Sequence, residues 1–239
     1  MKKSVLERYI SKYNLAGSVE SVTLTADTKG VSTRFISDDR NVIGEVNTTL
    51  LTIDDGNYAI YETQQLKSLL NVLDEDVTLK VNKSGAKNIS ITLSDDKVKT
   101  NFVLASEDNI PKVPLLKKLP TFNIVTTIDK MFVERFVRAK NALPDVETFT
   151  VTSDGKSVDI VIGHSKMNTN RVSIGVTATT VDKIDPINFH ARYLKDILVA
   201  NKEAESGTLE VSSDGMARVT FIIPDFKVTY YLPEIKIED

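Results

Sequence analysis

The chain has 239 residues, 41% of them hydrophobic, no cysteine and a formal net charge of -3. That is apolar material enough for packed cores in one large or two ordinary domains. The absence of cysteine excludes disulfides, thiolate zinc sites and cysteine nucleophiles and suits a reducing cytoplasm, while the small negative total argues against a general nucleic-acid coat.

In chain order, the opening MKKSVLERYI lacks the apolar run of a secretory signal, and no stretch of about 18 apolar residues is present to span a membrane. Residues 2–15 place Val5, Leu6, Tyr9, Ile10 and Tyr13 at helical spacing, with Arg8 and Lys12 off that face and Gly17 as terminator. Strands are expected at 19–26 and 30–36 around the turn Asp27-Thr28-Lys29-Gly30, then at 42–51 and 58–61. A second helix runs from Thr63, its candidate N-cap, through Leu66, Leu69, Leu70 and Leu73. Strands at 77–82, 88–93 and 97–104 follow. Residues 105–120 then break the pattern: Pro111, Pro114 and Pro120 oppose regular structure. Yet Ile110, Val113, Leu115, Leu116 and Leu119 are too apolar for a solvated spacer, so this linker is expected to lie packed along the body.

The second half opens on a strand at 122–127. A helix at 129–142 follows, with Phe132, Val133, Phe136 and Val137 inward and Leu143-Pro144 as its stop. Strands are expected at 147–152, 157–162, 171–178 and 187–190. A helix at 190–202 packs Leu194, Ile197 and Leu198, and strands at 207–212, 216–223 and 226–232 complete the chain.

The halves repeat one another. At an offset of 127, Glu7, Arg8, Asn14, Val19, Glu20, Thr23, Thr25 and Asp27 fall on Glu134, Arg135, Asn141, Val146, Glu147, Thr150, Thr152 and Asp154. Leu66-Lys67 and Leu70 match Leu194-Lys195 and Leu198 at 128, and Thr78-Leu79 and Val81 match Thr208-Leu209 and Val211 at 130. A repeat of this length is a duplicated domain. The expected organisation is α+β: residues 1–108, a linker at 109–120, and residues 121–239, each domain with two helices packed on antiparallel sheets.

Charge is divided unevenly. The four helical segments net +3, +1, +2 and +2, leaving -11 for everything else. Any single outward lysine is ordinarily just solvated; the segregation and the recurrence of Arg8 as Arg135 and Lys67 as Lys195 point to a surface for phosphates. The helical cations Lys3, Arg8, Lys12, Lys67, Lys130, Arg135, Arg138, Lys140, Arg192, Lys195 and Lys202 are the candidate contacts. Few aromatics accompany them, so backbone contact without sequence readout is expected. Chemistry is otherwise sparse. His164 and His190 have no metal-ligand spacing around them, no phosphate loop or nucleophile elbow occurs, and Asp38-Asp39, Asp54-Asp55 and Asp95-Asp96 fall in turns. No cofactor, metal or enzymatic activity is expected.

Two helix-and-strand units, a proline-broken apolar linker and basic helices on an acidic body together resemble DNA sliding clamps. Lys227-Val228-Thr229-Tyr230-Tyr231-Leu232-Pro233 followed by Lys236-Ile237-Glu238-Asp239 is similar to the carboxyl end of proliferating cell nuclear antigen. The length, the opening helix and Tyr58-Ala59-Ile60-Tyr61 before a leucine-rich helix look like the clamps of T-even-type bacteriophages. The resemblance implies a homotrimeric ring around duplex DNA, with polymerase and clamp loader as partners and the host cytoplasm as location. It also implies a peptide groove, at Ile36, Val42, Val113, Leu115, Leu116, Pro233 and Ile235. Two alternatives remain: a non-encircling monomeric or dimeric polymerase accessory protein, and a virion structural protein.

Overall fold

Amphipathic spacing produces helices α1 (Lys3–Asn14), α2 (Thr63–Asn71), α3 (Lys130–Ala142) and α4 (Ala191–Ala200) in the computed structural model, which describes every residue except Lys166, Asn168 and 237–239. Alternating segments form the strands. In the first half these are β1 (Val22–Asp27), β2 (Gly30–Ile36), β3 (Ile43–Thr48), β4 (Gly56–Ile60), β5 (Thr78–Ser84), β6 (Lys87–Ser94) and β7 (Lys99–Val103). In the second they are β8 (Ile124–Ile128), β9 (Thr148–Asp154), β10 (Val158–Ile162), β11 (Val172–Val176), β12 (Ala178–Val181), β13 (Lys183–His190), β14 (Ser206–Ser212), β15 (Met216–Ile223) and β16 (Phe226–Pro233).

The chain divides into two compact units, 1–114 with 224–228, and 115–223 with 229–239. In the first, strand order is β4-β1-β2-β3 in one sheet and β5-β6-β7 in the other. The second repeats it as β13-β9-β10-β11 and β14-β15-β16, adding β8 beside β14 and β12 beside β8. The paired strands are antiparallel. Duplication reaches single hydrogen bonds. Thr63 N–H donates to Glu20 O at 3.0 Å as α2 begins, and Ala191 N–H donates to Glu147 O at 2.8 Å as α4 begins. Ile128 of β8 lies opposite Gly207; at the matching register Val77 N–H donates to Met1 O at 3.0 Å. Met1 and Lys2 thus do in brief what β8 does at length.

Each helix pair covers its sheets with apolar side chains. Leu6, Tyr9, Ile10 and Tyr13 of α1 and Leu66 and Leu70 of α2 are buried inside the first unit, where the two helices pack together. In the second, Phe132 and Phe136 of α3 are buried; Phe136 meets Phe149 edge-on at 5.5 Å, and Phe149 lies 5.4 Å from Phe189. Val133 and Val137, expected inward, are only half-buried, because the larger phenylalanines and Ala139 occupy the contact.

Four local expectations change. Gly17 does not end α1 alone: Leu15, Ala16 and Gly17 all take positive φ, at 44°, 56° and 93°. Left-handed backbone costs a non-glycine residue about 1–2 kcal/mol; burying the Leu15 side chain completely offsets this. Thr63 is not the cap of α2 but its first residue. Glu20 caps from outside, accepting Gln64 N–H at Oε2 (2.8 Å), while the Thr63 hydroxyl donates to Glu20 O. The strand expected at 171–178 is two strands, β11 pairing with β10 and β12 with β8, so the chain changes sheets at Thr177. Finally, β13 starts earlier than expected, and a register shift between Ile184 and Ile187 accommodates Pro186 inside a strand.

Candidate nucleic-acid interface and partner surface

The cations of the first unit are largely engaged by its own fold. Lys3 Nζ donates to Leu73 O at 2.7 Å and Lys67 Nζ to Asn14 Oδ1 at 3.4 Å, so each lysine ties one helix to the end of the other. Lys2 is held by Asp76, 2.6 Å away. Arg8 is half-buried with its guanidinium 4.9 Å from the centre of the Phe226 ring. Lys12 is fully buried, its ammonium 5.1 Å from the same ring. The expectation that Lys12 lies on the outer face is therefore wrong. Phe226, 214 residues further along, covers that side of α1, which helical periodicity alone leaves open.

The second unit keeps more of its charge outside. Lys130, Arg135, Arg138, Arg192 and Lys202 are exposed, and Lys140 and Lys195 half-buried. Lys130 and Lys202 line a common cleft of about 210 Å³ where α3 starts and α4 has ended. Asp129 caps α3, accepting Phe132 N–H at 2.7 Å. Arg138 pairs loosely with Glu134 at 3.5 Å, one turn back on the exposed surface, where such a pair is worth little. Lys140 Nζ donates to Pro144 O at 2.8 Å. Helices α3 and α4 pack against each other, so these side chains belong to one helix pair. Arg8 and Arg135, equivalent in the repeat, thus differ: one is stacked on a ring, the other stands in solvent.

The candidate partner-peptide residues fall in both units. In the first, Ile36 ends β2 opposite Ile43 and is half-buried. Val42 is completely buried: Ser37 N–H donates to its carbonyl at 2.9 Å, and its own N–H donates to Ser37 Oγ at 3.1 Å. This closed loop corrects the assignment of Val42 to a contact surface. Val113 lines a cleft of about 490 Å³ with Arg34, Ile110 and Pro111, and Arg34 donates to Pro114 O at 3.0 Å. The segment before Leu115 is thereby strapped over β1 and β2, packed as its composition suggests. In the second unit Leu115 is 71% exposed. Leu116 and Ile235 are half-buried and Pro233 is exposed. The tail is anchored: Glu234 N–H donates to Gly215 O and Ile235 N–H to Asn188 O, both at 2.8 Å. Ile237, Glu238 and Asp239, part of the tail resemblance, lie outside the described residues.

Three residues that shape these surfaces escaped the sequence reading. Phe226 is one. Arg218 is another: it forms a bidentate pair with Glu210 and stacks 4.5 Å from Phe122, fixing the chain where the linker enters the second unit. Their alternate positions on β14 and β15 were a usable signal for the Arg218–Glu210 pair. The third is Asp196 of α4, whose side chain is 14% exposed and lies 3.7 Å from Arg192 Nε. Burial raises its carboxyl above the ordinary value, against the opposing pull of Arg192, Lys195 and Lys140. Of the turn carboxylates read from the sequence, Asp39 and Asp95 accept backbone N–H groups. Asp27 and Asp154 do the same within their own turns. Among the described residues no group of three or more acidic or histidine side chains is placed to hold a metal ion. No helix there is long and apolar enough to cross a membrane.

No protein-family model and no curated protein matches the sequence. Solved structures match in fold along nearly the whole chain. One is a PCNA2–PCNA3 complex from Sulfolobus tokodaii: TM-score 0.73, 12% identity, covering 98% of this chain and 97% of that one. Another is proliferating cellular nuclear antigen from Entamoeba histolytica, with TM-score 0.74, 12% identity and coverage of 98% and 96%. A third is A. fulgidus PCNA bound to the C-terminal region of FEN-1, with TM-score 0.77, 13% identity and coverage of 100% and 98%. The mixed α+β architecture of this chain is that of the PCNA-like clamps.

Proposed function

We propose that this chain is the subunit of a DNA sliding clamp, a ring that encircles duplex DNA and tethers polymerase and other replication proteins to it. The end-to-end coincidence of fold with the clamps carries this reading. The cations on α3 and α4 support it, because phosphate contacts position a protein on duplex without reading sequence. A threaded duplex is retained by topology, so each contact can be weak enough to let the ring slide. The protein on this reading is a processivity factor and not an enzyme.

Two strand edges support ring closure. In the first unit β7 ends its three-stranded sheet; in the second β11 ends its four-stranded sheet. Val103 on β7 is 70% exposed. Free edges invite pairing with another chain. Pairing β7 of one copy with β11 of the next is a head-to-tail contact, which closes into a ring when the rotation permits. The homotrimer, the duplex and the clamp loader follow from the same reading, as does a polymerase peptide seated by Ile36, Val113, Leu115, Leu116, Pro233 and Ile235. The FEN-1 segment on the A. fulgidus protein supports such a peptide site. The opening helix and the Tyr58–Tyr61 segment support a place among T-even-type phage clamps, acting in the host cytoplasm.

Retention on DNA tests the proposal. A ring loaded on a nicked circle stays bound in high salt and runs off when the circle is linearised. Equal loss from both forms overturns encirclement and favours a non-encircling accessory protein. In solution the ring has three times the 26.5 kDa chain mass; one or two times that mass overturns the trimer.

A further inference from the structure

The α3–α4 pair contains a carboxylate that a purely phosphate-binding surface has no use for. Asp196 sits on the cationic helix, mostly enclosed, with Arg192 one turn before it at 3.7 Å and Lys195 beside it in sequence. Lys140, in the last turn of α3, has its ammonium fixed instead to Pro144 O at 2.8 Å. A half-buried carboxylate costs desolvation energy, and the pairing with Arg192 offsets only part of it, so the carboxyl stays above its ordinary value. Arg135 has no such neighbour among the described residues, and its side chain is exposed.

We propose that Asp196 is a positioning residue of the DNA-facing surface: it holds Arg192, one turn away at 3.7 Å, and cancels its charge, which limits the grip on phosphate. The inference rests on the DNA-clamp reading and deepens it. A sliding protein needs cations enough to stay centred on duplex and few enough not to stick. Counterion release makes the difference countable, since each phosphate neutralised steepens the log–log salt dependence of binding by about 0.9.

The test is binding of a short fluorescent linear duplex across a salt series, with thermal melting in parallel. Asp196→Asn is the isosteric neutral variant and Asp196→Ser a second one. Each is expected to bind more tightly at low salt than the wild type and to steepen the slope by about 0.9. Adding Arg192→Gln to Asp196→Asn is expected to return the slope to that of the wild type. If the neutral variants melt earlier but keep the wild-type slope, Asp196 is only structural and the proposal is overturned. A shallower slope overturns it as well. Failure of the clamp reading itself looks different and is read on the nicked circle: the wild type is then lost equally from circular and linearised DNA, whatever slopes the Asp196 variants show.

Discussion

Lys12 and Arg135 make the sharpest comparison, because both read as outward helical cations and only one stands in solvent. The perturbation is Lys12→Gln in one variant and Arg135→Gln in another. Arg135 is exposed on α3 with no ion pair among the described residues. Removing it should take away one phosphate contact, lowering the salt slope of duplex binding by about 0.9 with little change in stability. Lys12 is completely enclosed, and its ammonium lies 5.1 Å from the Phe226 ring centre. A desolvated cation–π contact contributes about 2 kcal/mol, and the buried methylenes add to it through packing. Lys12→Gln should therefore destabilise the first unit by about 1–3 kcal/mol, within the usual range for a disturbed interior. Its salt slope should match the wild type at temperatures where both are folded. Denaturant melts and fluorescence anisotropy over a salt series supply the two readouts. A loss of slope in Lys12→Gln, with stability unchanged, would falsify the burial argument.

Further outcomes follow from single contacts. Glu20→Ala removes the carboxylate that accepts Gln64 N–H, and losing a cap of this kind costs about 1 kcal/mol; a melt equal to the wild type refutes its capping role. Gly30→Ala places a Cβ 2.1 Å from Thr48 O at a φ of +128°, so the β1–β2 turn must shift; reduced protection of that hairpin in hydrogen exchange is expected, and unchanged protection counts against it. Asp95 and Asp154 have carboxyls held below the ordinary value by backbone N–H donors, from Asp74, Lys97 and Val98 for the first and Ser157 and Lys156 for the second. A depressed folded value contributes stability above the unfolded carboxylate range, and that contribution is lost as pH falls through the folded value. The melting gap between wild type and the Asp95→Asn, Asp154→Asn double variant should accordingly be widest near neutrality and close in acid; a gap independent of pH refutes this.

Much of the architecture was written in local order. Period-3.6 apolar spacing marked α1 through α4, and alternation with Asp- and Gly-containing turns marked most strands, because these signals depend on neighbours three or four positions away. The offsets of 127 and 130 carried further, since duplicated residues such as Glu20 and Glu147 perform the same backbone task in both units. Where the reading failed, a distant segment had intervened. Glu20 displaced Thr63 as the cap of α2, Leu15 accepted a left-handed backbone to reach the interior, and the run after Arg171 divided between two sheets.

The candidate surface was legible as a count of charges and not as a placement of them. Sequence alone determined that the helices are basic, the body acidic and the chain doubled. Only tertiary structure decided that Phe226 encloses Lys12, that Ser37 closes the loop over Val42, and that Asp196 stands enclosed beside Arg192. The physical reason is that periodicity specifies which side of a helix is apolar, whereas exposure of the remaining sides depends on whatever the fold lays across them. Partners more than 200 residues away, as Phe226 is from Lys12, leave no trace in a local pattern.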